Sequence, residues 1–283
     1  MTPAAAKTFL ESKSIKNTEA SDDFESFALA TIGEELYQTF IYGYTKKQWG
    51  CEPRELPASI LKRLPIRFTY EDSFYNSRFQ GMPIHGYTPI FANLLNHPRI
   101  SVSLESQYSS EANRDFDHVF YTGPIDRYFN HKYGRLPYRS LRWDSICNGT
   151  GEHQGVAVMN YTEESVPYTR IAEHKHFAPW EHHSQSLAFI EYSFEAGLKD
   201  IPYYPKRLPA STLLFSKYLS CAKDETNVSF LGRLGTYRYL NMDKVIAESL
   251  SFAKKFLAQK YRRHENSPVF TSPLPATNRE DPE

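Results

Sequence analysis

The sequence lacks several features that would assign it at once to a broad class of protein. Its formal net charge is zero, because 33 Lys and Arg residues balance 33 Asp and Glu residues. A neutral chain presents no broad electrostatic surface to nucleic acid or to an anionic membrane. No apolar run approaches the roughly 18 residues of a membrane span, and no charged-then-apolar leader opens the chain. These absences predict a soluble, cytoplasmic protein without nucleic-acid or membrane partners.

Cysteine is also scarce. The three cysteines are odd in number and widely spaced, at Cys51, Cys147 and Cys221. This pattern predicts free, buried thiols in a reducing compartment, and it argues against a disulfide framework or a cysteine metal cage.

Two local patterns imitate functional motifs. Residues 149–155, Gly-Thr-Gly-Glu-His-Gln-Gly, look like a phosphate loop, but they precede a strand pattern and are therefore interpreted as a hairpin loop. Four histidines cluster at His174, His176, His182 and His183. Two of them, His174 and His176, would share one strand face, yet no third ligand follows at a suitable spacing, so no metal site is predicted.

Helix signals dominate the beginning of the chain. Asp22 and Glu25 form a capping-box pattern. Apolar residues then recur every four positions, at Phe24, Ala28, Ile32, Leu36 and Phe40. A short helix is predicted at 57–64 between two prolines, and Thr88-Pro89 begins another helix that ends near Pro98.

Strand signals follow. Short strands are predicted at 100–104 and 118–121. The segment 139–195 carries four more, at 140–143, 155–161, 169–177 and 187–194, and their turn-separated spacing predicts an antiparallel sheet. Ser211 is then predicted to cap a helix.

The most informative stretch is a strand, a glycine-containing turn and a new helix between residues 228 and 257. The turn reads Gly232-Arg-Leu-Gly-Thr-Tyr-Arg-Tyr-Leu240, and the helix carries an apolar stripe that begins at Met242. Backbone N–H groups at such a helix start point toward an electron-rich group. Spacing alone leaves open the alternative of an ordinary connection with surface arginines.

Three further segments accompany this turn. Residues 42–67 contain Tyr-Gly-Tyr-Thr-Lys-Lys-Gln-Trp-Gly and end in Lys-Arg-Leu-Pro-Ile-Arg; residues 166–177 read Val-Pro-Tyr-Thr-Arg-Ile-Ala-Glu-His-Lys-His-Phe; residues 202–205 read Pro-Tyr-Tyr-Pro. Together the four segments resemble the UDP-galactopyranose mutase family, flavoenzymes of nucleotide-sugar metabolism. The resemblance runs, in the family's order, from about residue 10 to about residue 260.

The resemblance implies a mixed α+β and α/β fold. A helical substrate domain and an antiparallel β-sheet domain would accompany a partial flavin-binding αβ domain. The segments would be a helical substrate-binding segment with a mobile loop, a mixed strand and helix segment, the antiparallel sheet, a return to the flavin domain with a C-terminal helix, and a disordered tail, at 1–80, 81–138, 139–195, 196–261 and 262–283. Family members open with a Gly-x-Gly-x-x-Gly fingerprint. The sequence has none, so the opening βαβ unit is expected to be absent.

On the substrate side, the resemblance implies that Arg63 and Arg170 are the main catalytic residues and grip the diphosphate. Planar guanidiniums suit two phosphate charges because each binds as a fork. It also implies that Tyr44 stacks on uracil beside Trp49 and that other residues complete the site, namely Phe40, Thr45, Asn160, Tyr203, Tyr204 and Tyr239. The choice between Tyr203 and Tyr204 stays open. Without the resemblance, the arginines would be interpreted as surface residues and the rings as core.

On the cofactor side, the resemblance implies that Arg233 and the helix start Asn241-Met242-Asp243 contact the flavin. A positive helix end there would stabilise charge on reduced flavin. Two positions depart from the family pattern. Asn241 replaces the usual Asp and keeps its capping ability, and Phe74 replaces a tyrosine that would help to hold the diphosphate.

The predicted function is therefore the flavin-dependent isomerisation of UDP-galactopyranose to UDP-galactofuranose, the precursor of cell-surface galactofuranose. Its partners would be UDP-galactose or UDP, reduced FAD, and a separate FAD-binding polypeptide or a second copy of the chain. The first alternative is a non-catalytic UDP-sugar-binding remnant, either a truncated product or half of a split enzyme, that cannot hold FAD alone. A structural or interaction protein unrelated to sugars is the second alternative.

Overall fold

The computed structural model describes residues 1–15, 23–62, 66–71 and 77–262, and the chain divides into two compact units. Unit 1 comprises Met1–Ser106 and Leu141–Phe194, and unit 2 comprises Gln107–Ser140 and Glu195–Glu283. The α-helices are α1 Pro3–Lys13, α2 Phe24–Leu36, α3 Gly43–Trp49, α4 Ser59–Lys62, α5 Thr88–Leu95, α6 Ile125–Tyr128, α7 Pro209–Asp224, α8 Gly232–Gly235 and α9 Met242–Arg262. The strands are β1 Val119–Tyr121, β2 Tyr138–Asn148, β3 Val158–Asn160, β4 Arg170–Glu173, β5 Ser186–Glu195, β6 Tyr204–Pro205 and β7 Val228–Phe230. A π-helix covers Tyr37–Tyr42, and 3-10 turns cover Pro53–Glu55, Ser110–Asp115 and His174–Phe177.

The N-cap of helix α2 lies one residue after its predicted position, Asp22. The N-cap is Asp23, whose side chain accepts a hydrogen bond from the Ser26 N–H at 2.9 Å. This frame places Phe24 at the first helical position, where the side chain is buried and the N–H donates to the Leu56 carbonyl. Asp22, the predicted cap, lies outside the described residues.

The apolar residues that recur every four positions in α2 are predicted to form one buried stripe as far as Phe40, but the buried face does not extend that far. The helix kinks at Gly33, which has φ 76° and ψ 168°. A Cβ at Gly33 would lie 2.2 Å from the Lys13 carbonyl oxygen, so the position requires glycine. The π-helix beyond the kink turns Tyr37 into the core and leaves Phe40 58% exposed. The wider π turn thus moves the buried face away from the position that a regular α-helix predicts.

Within unit 1 the strands follow the order β3-β4-β5-β2. The β3–β4 and β4–β5 pairs are antiparallel, which confirms the predicted antiparallel sheet. Strand β4 ends at Glu173, and a 3-10 turn follows, so the prediction that His174 and His176 share a strand face is wrong. Residues 149–155 join β2 to β3, which are not neighbours in the sheet, so the hairpin interpretation is wrong as well.

Two other local predictions also fail. Residues 100–104 are described, and they form no strand although apolar residues alternate there: Leu104 is 83% exposed, and none of the strands that the structure describes pairs with the segment. No disulfide joins the three cysteines, all of which are described, but their predicted burial is wrong, because Cys147 is exposed and the other two are half-buried.

Unit 2 is organised around an aromatic core. Strands β1 and β7 pair in parallel, with Tyr121 opposite Phe230. Tyr128 packs edge-to-face on Phe230 with ring centroids 4.9 Å apart. Strand β6 pairs with the start of β2, where Tyr204 faces Arg139 across an antiparallel register.

The two long helices of unit 2 also differ from their sequence patterns. Helix α7 starts at Pro209, so Ser211 is not its cap; its hydroxyl donates to the Lys206 and Leu208 carbonyls inside the first turn. Helix α9 buries Phe252, whereas Met242 on the predicted stripe is 51% exposed. Among the described helices, none combines the length and the apolar character that crossing a bilayer requires.

Candidate functional site

Unit 1 brings several predicted site residues together on one face of its sheet. Arg170 is the first residue of β4, and its direct partners in the register are Asn160 on β3 and Glu191 on β5. Because directly opposed residues share a face, the three polar side chains form a row across three strands. The Arg170 Nε lies 3.0 Å from Glu191 Oε1. The same carboxylate oxygen accepts a hydrogen bond from the Thr169 hydroxyl at 2.9 Å, so two contacts hold this oxygen of Glu191 in place.

Helix α3 packs beside this row and contributes Tyr44, which contacts Arg170. The Arg170 guanidinium donates to the Tyr44 hydroxyl, and its central carbon lies 5.8 Å from the centre of the Tyr44 ring. The Arg170 side chain is 30% exposed, whereas the Glu191 side chain is 10% exposed. The guanidinium is therefore oriented by a carboxylate and an aromatic ring while an anion from solvent can still reach it.

The other residues of unit 1 that are predicted to bind substrate differ in how far their side chains are buried. Thr45 and Trp49 are buried at 4% and 5% exposure, as expected for core residues of the helix. Phe40 is exposed, and Tyr44 is half-buried with its hydroxyl on Arg170. Arg63 and Phe74 lie outside the described residues, and the role of Arg63 stays a prediction.

Unit 2 gathers a second group of predicted residues around Arg233 in α8. The guanidinium donates to the Tyr203 carbonyl at 3.0 Å and twice to the Leu240 carbonyl, at 2.5 and 3.1 Å. Its central carbon lies 5.5 Å from the Tyr204 ring centre and 4.9 Å from that of Tyr239. Arg233 therefore joins all three predicted tyrosines. The Tyr204 ring faces the cation, while Tyr203 contributes its backbone.

The predicted flavin contacts lie at the start of α9. Asn241 precedes the helix, and its carbonyl accepts the first intrahelical bond from the Val245 N–H at 3.1 Å. Met242 and Asp243 are exposed in the first turn of this 21-residue helix. The first N–H groups of a helix carry partial positive charge, which fits the electron-rich edge of a flavin ring. Arg233 orders the approach to this helix through Leu240.

The sequence contains no glycine-rich motif of the kind that binds the pyrophosphate of FAD. None of the 13 glycines belongs to a Gly-x-Gly-x-x-Gly segment. The residues present thus fit the ring edge of the cofactor and do not include the usual pyrophosphate cradle.

Sequence spacing missed one cluster of charged residues. Oxygen and nitrogen atoms of Glu152, Glu173 and His176 lie within 4.8 Å of one another, whereas the spacing of the histidines alone gives no sign of the two carboxylates. The Lys175 ammonium is 2.6 Å from a Glu152 oxygen and 3.6 Å from a Glu173 oxygen. A cation is therefore already present in the form of a lysine, and the cluster is described as an ion-pair network.

Two residues of the unit 1 site also escaped the sequence analysis. Glu191 and Lys47 have no local signal, because their partners lie far away in sequence. Lys47 donates to four backbone carbonyls that are 114 to 121 residues distant. Only the pairing of strands and the docking of α3 on the sheet of unit 1 could reveal such contacts.

Comparison with known proteins assigns the chain to a family. The family model of UDP-galactopyranose mutase matches residues 39–239. A probable UDP-galactopyranose mutase of Klebsiella pneumoniae is 49% identical over 272 residues, which cover 96% of this chain and 70% of that protein. A dTDP-fucopyranose mutase of Escherichia coli is 44% identical, over 91% of this chain and 70% of that protein.

A solved structure agrees at the level of the fold. The crystal structure of a reduced UDP-galactopyranose mutase superposes with a TM-score of 0.58 at 14% identity, covering 84% of this chain and 68% of that one. The residues that the family model matches include helix α3, the β3-to-β5 row, and Arg233 with Tyr203, Tyr204 and Tyr239. The chain belongs to the UDP-galactopyranose mutase family.

Proposed function

We propose that the chain acts as a flavin-dependent nucleotide-sugar mutase that interconverts UDP-galactopyranose and UDP-galactofuranose. Family membership supports the reaction class. The observation that carries the substrate assignment is the row of Asn160, Arg170 and Glu191 beneath Tyr44.

Arg170 binds the diphosphate in this proposal. Hydrogen bonds between a guanidinium and a phosphate are charge-assisted and two-pronged. Glu191 pairs with the Nε of the guanidinium and the Tyr44 hydroxyl accepts from one of its terminal N–H groups, and together the two contacts orient it before a ligand arrives. Tyr44 lies beside it and offers a half-buried ring on which uracil stacks. Arg63 is proposed as the second diphosphate ligand on the strength of the sequence resemblance.

The Arg233 cluster serves the sugar and the cofactor. The Tyr204 and Tyr239 rings, with centroids 5.4 Å apart, present hydroxyl groups for sugar or phosphate oxygens. The N-terminus of α9 at Asn241 would hold the electron-rich edge of the flavin. Reduced FAD, when bound, supplies the nucleophile of the reaction. The chain's own residues position the sugar, retain UDP after it leaves, and stabilise negative charge.

One relative motivates a second candidate substrate. The Escherichia coli protein that is 44% identical is named a dTDP-fucopyranose mutase. Both nucleotide sugars carry the same diphosphate, so Arg170 would bind either one. They differ in the base, in the ribose 2′-hydroxyl and in the sugar, so the two substrates must be assayed side by side.

Cofactor retention provides a separate test. Because the sequence has no Gly-x-Gly-x-x-Gly segment, we expect the purified chain to lose flavin on desalting. We propose that a second polypeptide, or a second copy of the chain, contributes to FAD binding. A yellow protein that keeps stoichiometric flavin after desalting would contradict this proposal.

The diphosphate assignment is tested by calorimetric titration with UDP. Arg170→Ala should weaken binding ten- to a hundredfold, because a hydrogen bond to a charged group contributes about 1.5–3 kcal/mol. Arg170→Lys should weaken UDP binding less, since lysine keeps the positive charge and loses only the two-pronged hydrogen bonding of the guanidinium. The matched control is Arg142→Ala, which removes an arginine of unit 1 whose side chain is 62% exposed. Unchanged affinity in both Arg170 variants would refute the assignment.

Catalysis is tested by the conversion of the furanose to the pyranose form under reducing conditions with FAD. The chain is assayed alone and together with a polypeptide that carries a Gly-x-Gly-x-x-Gly segment. Turnover of UDP-galactofuranose supports the mutase proposal, and preferential turnover of the dTDP-fucose substrate supports the second candidate. Flavin-loaded protein that binds UDP without turnover of either sugar would favour the non-catalytic alternative.

A further inference from the structure

The side chain of Lys47 has an unusual set of partners. Its ammonium lies 2.8 Å from the carbonyl oxygens of Tyr161 and Glu163 and 3.0 Å from those of Val166 and Tyr168, so its three N–H donors are shared among four acceptors. All four carbonyls belong to residues 161–169, the β3–β4 loop, which joins Asn160 to Arg170. One half-buried ammonium therefore contacts backbone carbonyls along almost the whole loop.

A second contact shows that α3 and this loop are in direct backbone contact. A Cβ added to Gly43 would lie 2.2 Å from the Thr162 carbonyl oxygen. Gly43 and Lys47 are four residues apart and so lie on the same face of the helix. The missing side chain at Gly43 allows the loop to approach, and the ammonium of Lys47 then holds it.

The chemistry of the contact suits lysine. Carbonyl groups that lose contact with water need donors, and the loop backbone supplies only some of them: the Val166 N–H donates to the Glu163 carbonyl at 3.3 Å, and the Lys47 ammonium contacts that carbonyl and three others. A compact ammonium with rotatable donors can face several carbonyls at once, whereas a planar guanidinium cannot. Burial lowers the pKa of Lys47, and the nearby carboxylates of Glu163 and Glu164 oppose that shift.

The held loop has the two ligand-binding candidates at its ends. Asn160 closes the three-residue strand β3, whose residues are all exposed, and Arg170 opens β4. Tyr44, which contacts Arg170, is on the same helix as Lys47. The position of the loop relative to α3 thus sets the positions of Asn160 and Arg170 relative to Tyr44.

We propose that Lys47 is a positioning residue for the nucleotide site, which holds the β3–β4 loop against α3 so that Asn160 and Arg170 face Tyr44. The inference rests on the proposed function of Arg170 in diphosphate binding. The Lys47 ammonium contacts the carbonyls of the loop, so it acts on the site through the position of the loop.

The test is a double-mutant cycle read by UDP calorimetry and thermal unfolding. Lys47→Met keeps the apolar stem and removes the ammonium, and it should raise the Kd for UDP about tenfold while lowering the Tm. In an Arg170→Ala background the same substitution should change the Kd less than twofold and still lower the Tm. A purely structural role would lower the Tm without this coupling, so additive effects on the Kd would overturn the proposal.

The adjacent lysine provides the matched control. Lys46 bridges the exposed carboxylates of Glu52 and Glu164, each at 3.1 Å; it therefore reaches the loop through an exposed side chain of Glu164, whereas Lys47 reaches it through backbone carbonyls. Exposed ion pairs contribute little, so Lys46→Met should change the Kd less than threefold. An equal loss of affinity in Lys46→Met and Lys47→Met would contradict a specific role for the carbonyl contacts.

Two further measurements keep the inference testable. If Lys47→Met does not fold, Gly43→Ala displaces the Thr162 carbonyl while keeping the ammonium, and it should reproduce the coupled loss of UDP affinity. If Arg170→Ala leaves UDP binding unchanged, the diphosphate proposal fails by itself. Amide hydrogen exchange of residues 161–169 then decides the role of Lys47, since Lys47→Met should accelerate it at least tenfold and unchanged exchange would reject it.

Discussion

Glu173 provides a pH-dependent prediction that can be worked out from its contacts. It is the last residue of β4 and is fully buried. Its carboxylate accepts from the Ser186 hydroxyl and from the backbone N–H groups of Gln154 and His153, at 2.8 and 3.0 Å. His176 lies 3.4 Å away. The carboxylate therefore ties the segment after β2 to the sheet of unit 1.

Two opposing effects on the pKa of the Glu173 carboxyl group determine how much it contributes to the free energy of unfolding. Burial raises its pKa, but the hydrogen bonds from Ser186, Gln154 and His153 outweigh burial and lower the pKa from 4.5 to about 2. Because the folded pKa lies below the unfolded one, the stabilisation is complete above pH 4.5 and is lost as the pH falls toward 2. At about 1.4 kcal/mol per pKa unit, the upper limit is about 3 kcal/mol. Solvent near the hydrogen-bond partners of Glu173 screens the interaction, so we expect its ionised carboxylate to stabilise the fold by about 1–3 kcal/mol.

The perturbation is Glu173→Gln, which keeps the shape and removes the charge. The free energy of unfolding is measured with urea at pH 7, 5, 4 and 3 for both proteins. The difference between them should be largest at pH 7 and 5 and should fall by about 1–2 kcal/mol by pH 3. Glu181→Gln is the control, because its side chain is 44% exposed. A difference that does not change with pH would refute the reasoning.

Three other substitutions have defined outcomes. Gly33→Ala should cost about 1–3 kcal/mol in the free energy of unfolding, because φ is positive and the new Cβ meets the Lys13 carbonyl; an unchanged urea midpoint would contradict this. Arg233→Met should cost about 2 kcal/mol or more by the same measurement, since the Leu240 carbonyl loses its donor, while wild-type stability would mean that water replaces it. Asn241→Asp should leave stability within about 0.5 kcal/mol, because both residues cap helices. In flavin-loaded protein the added charge should lower the flavin reduction potential in a redox titration, and an unchanged potential would place the flavin edge elsewhere.

Local sequence signals predicted much of the fold because they report local structure. The existence of helix α9 and of the strand β7 follows from the apolar periodicity and the glycine turn, although the predicted stripe of α9 is exposed and Phe252 is buried instead. The antiparallel sheet follows from turn-separated strands. The motif residues Arg170, Tyr44 and Arg233 were found because their segments resemble a known family, and the structure describes a contact for each of them.

The failures share a physical cause, since they depend on contacts distant in sequence. The stripe of α2 breaks at Gly33 because α1 approaches there, and a stripe read at a constant period cannot include a π turn. The alternating segment 100–104 pairs with none of the described strands and forms no strand itself. The partners of Glu173 come from the segment after β2 and from β5, so its lowered pKa had no local signature.

The segment Gly43-Tyr44-Thr45-Lys46-Lys47 shows how a short motif combines structural and functional contacts. At 100° per residue, Gly43 and Lys47 lie about 40° apart on α3, and Tyr44 lies about 60° beyond Lys47. One arc of the helix therefore accepts the β3–β4 loop at Gly43, holds it at Lys47 and presents Tyr44 to Arg170. Inserting one residue between Tyr44 and Lys47 would rotate Tyr44 by about 100° relative to the held loop. The two adjacent lysines are therefore not equivalent: Lys46 pairs with exposed carboxylates, and Lys47 holds the loop that places Arg170.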